Sequence, residues 1–426
     1  MLFENGRLSR AVRIKPRNRV KGSSISHYLI EIINFILHNQ DFNLPVAVLA
    51  CTIDFSKAFN RQNHNILVTK LSDLGVPVWL VNIIMGFLSD RFMMVRYGGE
   101  TSGLKPLPGG GPQGTLLGLL LFLILINDCG FEGKDDNIGE IITKKKGKFE
   151  KSTMHSKYVD DLTLVETINL KEDLVPNPDR ILPDTYHERL GTKLDPAKSE
   201  VYKQIGSIKT YAKDNEMKLN VGKCKFILFN PTNNYDFKPD LEINEQQLET
   251  MNELKILGLT LRNDLSWREN TNIMVKKAYK RMWIIARLKG RGANTEDLLD
   301  IYIKQIRCLL EYGVAVWNSN LTVCESNDIE RVQKSFLHIV LGHKYKDYES
   351  ALKACKLETL KERRHQLCVK FARKAAKHPS HSKWFKVQEN KPNTRSKKTL
   401  YCTPIARLQR FRKSPIPYLT NLLNTQ

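Results

Sequence analysis

Three things are scarce in this sequence: paired cysteines, long apolar runs, and acid to balance its base. The 426 residues hold eight cysteines, each isolated, with no CxxC pair. That excludes a disulfide-stapled scaffold and predicts a reducing intracellular compartment, nucleus or cytoplasm. A zinc site from Cys355, His365, Cys368, His378 and His381 is conceivable, but their spacing matches no common finger. The most apolar run, residues 116–126, stops at Asn127-Asp128. A bilayer span needs about 20 residues, so this run predicts a buried core helix and no membrane partner. The N-terminus is basic and lacks an apolar core, so no secretory signal is expected. No repeat or low-complexity tract is present, which excludes solenoids and fibres.

What is abundant is positive charge. Lys and Arg number 67 against 45 Asp and Glu, a net charge of +22. Such an excess predicts a polyanionic partner, most often nucleic acid. The charge sits at the ends. Residues 1–21 hold seven bases and one acid, and residues 341–426 hold 21 bases and five acids. The stretch between them is neutral. Inside it, Lys276, Lys277, Lys280, Arg281, Arg287, Lys289 and Arg291 follow one another with no intervening acid.

The patterning predicts an α+β body followed by helices. Residues 25–37 and 63–75 have helical apolar spacing, and a further helix is expected over 79–88. Residues 46–53 (VAVLACTI) form a continuous apolar, β-branched run, read as a buried strand ending at Asp54. Residues 92–97 read as extended. Gly109-Gly110-Gly111-Pro112 leads into a helix with Pro112 in its first turn. Residues 158–165 (YVDDLTLV) read as a tight hairpin or strand corner. A helix over 201–215, a strand over 225–229 and an extended segment over 254–261 follow. From 267 onward the signal is helical, through 278–288, 298–312 and 329–341. A second boundary is expected near 343, where the chain turns basic.

Two acidic sites at strand ends invite a chemical reading. A carboxylate held against apolar strands is costly unless something neutralises it. Two adjacent carboxylates raise each other's pKa. Divalent cations remove both penalties, and Mg²⁺ takes hard oxygen ligands together with substrate phosphate. Three carboxylates converging from two strands suit two ions about 3.5–4 Å apart, an arrangement for phosphoryl transfer. A lone Asp pair at a turn is commonly just solvated.

The pair is not alone. Asp54-Phe55-Ser56-Lys57-Ala58-Phe59, Gly111-Pro112-Gln113-Gly114 and Tyr158-Val159-Asp160-Asp161 occur in this order. Together they resemble the D-x-x-K-A-F, P-Q-G and Y-x-D-D motifs of a reverse transcriptase palm. The likeness is close to the non-LTR (LINE-type, jockey-like) retrotransposons. Asn220-Val221-Gly222-Lys223 and Leu257-Gly258-Leu259-Thr260-Leu261 resemble the family's lysine-bearing and primer-grip motifs. The resemblance is strong over 45–265 and looser beyond.

It implies a right-hand polymerase: basic arm and partial fingers over 1–44, palm over 45–265, all-helical thumb over 266–342, and a basic C-terminal region over 343–426. The implied activity is RNA-directed DNA synthesis, joining dNTPs to a DNA primer on an RNA template. Asp54, Asp160, Asp161 and the Phe55 carbonyl would hold two Mg²⁺ ions, with Mn²⁺ a possible substitute. Phe59 would lie beneath the sugar and exclude a 2′-hydroxyl, and Gln113 and Gly114 would meet the incoming nucleotide. Lys223 would neutralise pyrophosphate. Tyr158, Leu257 and Gly258 would seat the primer end, and Lys276, Lys277, Lys280 and Arg281 would follow the backbone. For the basic helix this places Ala278, Met282, Ile285, Ala286 and Leu288 inward.

Some features depart from the family. Its full-length members carry an upstream endonuclease that nothing here matches, so the chain reads as a copy truncated at its 5′ side. The genomic nick would then come from another protein. Arg13, Lys15, Arg17 and Arg19 do not reproduce the family's triphosphate-clamping pattern, and Asn60 replaces a more usual acid. Arg395-Ser396-Lys397-Lys398 could bind RNA or direct nuclear import. From the residues alone, a catalytically impaired nucleic-acid-binding remnant stays open beside an active enzyme.

Overall fold

The computed structural model describes residues 24–41, 46–129, 151–158, 161–176, 190–231, 236–237, 239–387 and 400–425, with two short strands, Phe3–Glu4 and Arg7–Leu8, before them. Asp160, the Arg13–Arg19 cations, the 130–150 connection and the Arg395–Lys398 cluster lie outside the described residues.

A five-stranded sheet carries the body. Its strands are β1 (Val46–Ile53), β2 (Thr153–Tyr158), β3 (Asp161–Asn169), β4 (Lys225–Phe229) and β5 (Glu249–Met251), in the order β5-β4-β1-β3-β2. β1 runs down the middle, antiparallel to β3 and β4, while β4 and β5 are parallel. Antiparallel strands usually alternate apolar and polar residues because one face is wet. β1 does not, because both of its faces are covered. Val48 and Ala50 face the core shared with α1 (Ile25–Gln40). Ala47, Leu49, Cys51 and Ile53 face the core built by α2 (His64–Asp73), α3 (Val78–Leu88), α4 (Leu116–Leu125) and α5 (Glu200–Asp214). The strand therefore reads as an unbroken hydrophobic run and is held on four sides.

Two local corrections bear on the site. α4 begins at Leu116, not at Pro112: Gly114 takes φ +81°, and Thr115 caps the helix by accepting the Gly118 N–H at 3.0 Å. The Gly-Pro-Gln-Gly segment is thus a turn in front of the helix. Residues 254–261 are not one extended segment but a hairpin, β6 (Glu253–Ile256) and β7 (Leu259–Arg262). Its two tip residues, Leu257 at φ +47° and Gly258 at φ +89°, have the positive φ values that a two-residue hairpin turn requires.

The helical half starts with α6 (Arg268–Gly290). The expected helix over 298–312 is interrupted: Thr295–Ile301 gives way to a π-helical stretch, Tyr302–Arg307, before Cys308–Glu311. There Tyr302 is buried, stacked on Phe336 at 4.0 Å, with its hydroxyl donating to Gln333 Oε1 at 2.8 Å. α7 (Val323–Leu341), α8 (Leu360–Ala376) and α9 (Pro415–Asn424) complete it. The charge step near 343 is not a step in packing. α8 buries Leu360, Cys368, Ala372 and Ala375 in the same core as α1 and α6, and turns Lys370, Arg373 and Lys374 outward. Among the described residues no helix is long and apolar enough to cross a membrane.

The five zinc candidates do not gather. His381 stacks on His27 at 4.1 Å and on His378 at 4.6 Å, against Trp384 and Phe371 on His27. Stacked rings pack face to face instead of converging nitrogens on one point. Burial, with His378 adding to it, lowers the His27 pKa to about 4. Cys355 and Cys368 are buried in the apolar core. Among the described residues no group of three or more His, Cys, Asp or Glu side chains is arranged to hold a metal.

Candidate active site

The site grows from the end of β1. The last ladder pair between β1 and β3 is Ile53 with Leu162. The pairing stops there, and Asp54 after β1 and Asp161 at the start of β3 each lie one position beyond that last pair, at the same end of the sheet. Asp161 also pairs with Tyr158 across the β2–β3 hairpin, with Val159 and Asp160 between them in the chain. The two described carboxylates thus sit at the same end of adjacent central strands.

On its other side Asp54 is fixed by the 218–224 segment. Its carbonyl accepts the Asn220 N–H at 2.8 Å, and its own N–H points at Cys224 Sγ, 3.5 Å away. Burial raises the Cys224 pKa, so this neighbour stays a neutral thiol. Phe55 bridges to Leu219, flanked by bonds from Asn220 N–H to the Asp54 carbonyl and from Ser56 N–H to the Lys218 carbonyl. In such a bridge the amide and carbonyl of Phe55 itself turn away from the partner, toward the side on which β3 runs.

The side chain of Asp54 is only 23% exposed, and its buried Oδ2 has no hydrogen-bond partner. Lys223 Nζ stands 3.4 Å from that oxygen, close enough for Coulomb attraction but outside hydrogen-bond geometry. The Lys223 side chain is 69% exposed, so its charge is largely screened by water. A buried anionic oxygen without a donor is a costly arrangement, and a cation is the group that relieves it.

The residues expected to meet the nucleotide come together in a second layer. After Asp54 the chain makes a 3₁₀ turn, Ala58–Arg61, entered through Lys57 at φ +51°. The Gly loop lies against this turn: the Gly111 N–H donates to the Phe59 carbonyl at 2.8 Å, and the Gly110 N–H to that of Gln62 at 3.0 Å. The approach is so close at Gly110 that a Cβ would lie 2.9 Å from the Asn60 backbone. His64 and Arg91 bind the Gly110 carbonyl from the outside. Phe59 stacks on Phe122 of α4 at 4.3 Å, and exposed Gln113 reaches Asn60 Oδ1 at 3.4 Å. Phe59, Gln113 and Gly114 are therefore brought together on one side of Asp54.

Tyr158 stands at the end of β2, its ring edge-on to Tyr28 at 5.9 Å. Beneath it Lys157 is buried, its ammonium bonded to the Ile126 and Asn127 carbonyls at the C-terminal end of α4, where a cation is favoured. On α6, Met274, Ala278, Met282 and Ile285 are buried, whereas Lys276, Lys277, Lys280 and Arg281 are exposed. Ala286, expected inward, is exposed, because the inward stripe passes through Met282 and Ile285. The Arg281 guanidinium is engaged by the Gln305 carbonyl at 2.6 Å. Lys276, Lys277 and Lys280 form no ion pair among the described residues. No local pattern marks Phe122, Cys224 or Arg91 as supports, since each acts on the site from a distant segment.

The profile of the family described as "Reverse transcriptase (RNA-dependent DNA polymerase)" matches residues 17–261. The chain belongs to the reverse transcriptase family. Its fold is that of the family, with mixed helix and sheet. It is similar to the RNA-directed DNA polymerase from mobile element jockey of Drosophila melanogaster, 23% identical over 360 residues, covering 83% of this chain and 34% of that protein. The jockey polymerase of Drosophila funebris is also 23% identical, over 78% of this chain and 32% of its own length. The reverse transcriptase chain described here thus spans about a third of these relatives. Among solved structures, the telomerase of Candida tropicalis with a fragment of telomeric RNA aligns at a TM-score of 0.37 and 12% identity, over 85% of this chain and 52% of that one.

Proposed function

We propose that this chain is the RNA-directed DNA polymerase of a non-LTR retrotransposon, extending a DNA primer with dNTPs on an RNA template. The observation that carries this reading is that Asp54 and Asp161 lie one position beyond the last β1–β3 pair, at the same end of adjacent strands, while Asp54 Oδ2 stays buried without a hydrogen-bond donor. In this reading residues 45–265 are the palm, 266–342 the thumb, α1 with the preceding arm belongs to the fingers, and 343–426 is a basic C-terminal region. Asp54, Asp160, Asp161 and the Phe55 carbonyl would hold two Mg²⁺ ions, or Mn²⁺ in their place. When bound, the ions supply charge stabilisation at the transferred phosphate and an activated primer hydroxyl.

The protein's own groups then divide the work. Lys223 neutralises charge on the departing pyrophosphate from a solvent-facing position. Phe59, braced by Phe122, presents a ring edge that a ribose 2′-hydroxyl cannot pass. Gln113 and Gly114, in the turn before α4, contact the nucleotide beside exposed backbone N–H groups at the helix start. Tyr158, Leu257 and Gly258 seat the primer terminus. Lys276, Lys277, Lys280 and Arg281 follow the phosphates, a sequence-independent and salt-sensitive contact.

Extension of oligo(dT) on poly(rA) with Mg²⁺ tests the reading. Templated products are expected; binding without any extension points to a non-catalytic remnant. In the same assay Phe59→Ala is expected to incorporate ribonucleotides at least about tenfold more readily relative to dNTPs, a pocket discrimination of ordinary size. Unchanged sugar selectivity would remove Phe59 from that role.

A further inference from the structure

The hairpin tip that carries Leu257 and Gly258 does not stand alone. It is seated in a corner of the helical half, between Cys308–Glu311 and Val314–Trp317. The Tyr312 hydroxyl donates to the Leu257 carbonyl at 2.7 Å, across 55 residues of chain. The Tyr312 ring lies so close to Gly258 that a Cβ there would approach it to 3.2 Å. The neighbouring Gly313, at φ +65°, accepts the side chain of Leu259 in return, at 2.9 Å from a would-be Cβ. The corner is itself stiff, since the Tyr312 carbonyl accepts the Trp317 indole N–H at 2.8 Å and Trp317 is fully buried. Two glycines and two large side chains thus interlock, one of each from either side.

We propose that Tyr312 is a positioning residue for primer binding: its hydroxyl holds the Leu257–Gly258 turn in place and so couples the helical half to the strand end that bears Tyr158. This rests on the polymerase reading above. Three observations make the role more than packing. Leu257 and Gly258 both have positive φ, which is strained for Leu257, so the turn needs an external hold to stay in one conformation. The held atom is the tip carbonyl, and Tyr312 as a residue is exposed, at the surface where a primer terminus would lie. Tyr158 lies near enough that it adds to burial in raising the Tyr312 pKa, so Tyr312 stays a protonated donor at any working pH. A merely structural tyrosine needs its ring; a positioning one needs its oxygen.

Tyr312→Phe separates these, because it keeps the ring against Gly258 and removes only the hydrogen bond. Primer–template affinity is read by fluorescence anisotropy and KM by extension, each beside the wild-type chain. The expected result is about a fivefold weaker Kd and higher primer–template KM, the size one hydrogen bond supports. The dNTP KM should stay within error, the melting temperature should fall by no more than the loss of one hydrogen bond accounts for, and Tyr312→Leu should be worse in affinity than Tyr312→Phe. Unchanged primer–template Kd and KM in Tyr312→Phe overturn the proposal. So does a drop in kcat and melting temperature with KM unmoved, which is the mark of a structural role. If the wild-type chain binds but does not extend, the polymerase reading fails, while anisotropy still decides the role of Tyr312.

Discussion

Asp54→Asn is expected to lower primer extension at least about a thousandfold while leaving the fold and the affinity for primer–template intact. The magnitude follows from deleting one anchor of a charge-stabilising centre in a partly buried site. Survival of the fold follows from how little the carboxylate does structurally. Oδ2 accepts no hydrogen bond, and the nearby Lys223 is mostly solvated and loses little when left alone. The segment is fixed by its backbone, through Asn220 and Cys224, and Asn preserves both contacts. Nucleic-acid affinity should hold or rise, since a negative charge leaves the neighbourhood of a polyanion. Thermal unfolding, anisotropy and extension on the same preparation check the three parts. Loss of extension accompanied by unfolding would assign Asp54 to the scaffold.

Glu166→Ala should have the opposite profile, with a destabilisation of about 3–5 kcal/mol, enough to threaten folding of a domain of ordinary stability. Glu166 is completely buried in β3, five residues along from Asp161. Its carboxylate reaches out of the sheet to cap α5, accepting the Ser199 hydroxyl at 2.7 Å and the Glu200 and Val201 N–H groups at 3.0 Å each. Lys151 closes on it at 2.8 Å. These donors include two of the orphan amides that every helix N-terminus leaves. Truncation strands the two amides and the Ser199 hydroxyl, while Lys151 keeps the Lys198 carbonyl and Asp173. Ser199→Ala, which removes one donor and leaves the carboxylate its others, should cost about 1 kcal/mol. Denaturant midpoints order the two variants, and a Glu166→Ala midpoint equal to that of Ser199→Ala would refute the capping account.

Why some of this was legible in the sequence and some was not is a matter of range. β1 could be read because eight residues, all apolar but Thr52, flanked by Pro45 and Asp54, admit few other structures. The β2–β3 hairpin could be read because its Asp pair lies between apolar flanks, Tyr158-Val159 before it and Leu162 after it. The start of α4 lies four residues beyond Pro112, because the pattern favours a first-turn proline while Gly114 and Thr115 set the boundary. The β6–β7 turn was missed because Leu257, with a positive φ, is an apolar residue in an apolar stretch. Glu166 looked like any strand-edge acid, and Tyr312 like any helical tyrosine, because their partners lie 33 to 35 and 55 residues away. Local pattern reports periodicity and caps; it does not report which distant carbonyl or amide a side chain will meet.

The proposed sharing of metal ions by Asp54, Asp160 and Asp161 is tested most directly by iron-mediated backbone cleavage. Fe²⁺ placed in Mg²⁺ sites reduces added hydrogen peroxide to hydroxide and a hydroxyl radical, which cuts the chain around the ion. The wild-type protein should be cut near Asp54 and near Asp160–Asp161 together, both cuts competed by excess Mg²⁺ and both lost in Asp54→Asn. Cleavage near one segment alone, or a 160–161 cut indifferent to Asp54→Asn, would mean that these acids do not hold ions in common.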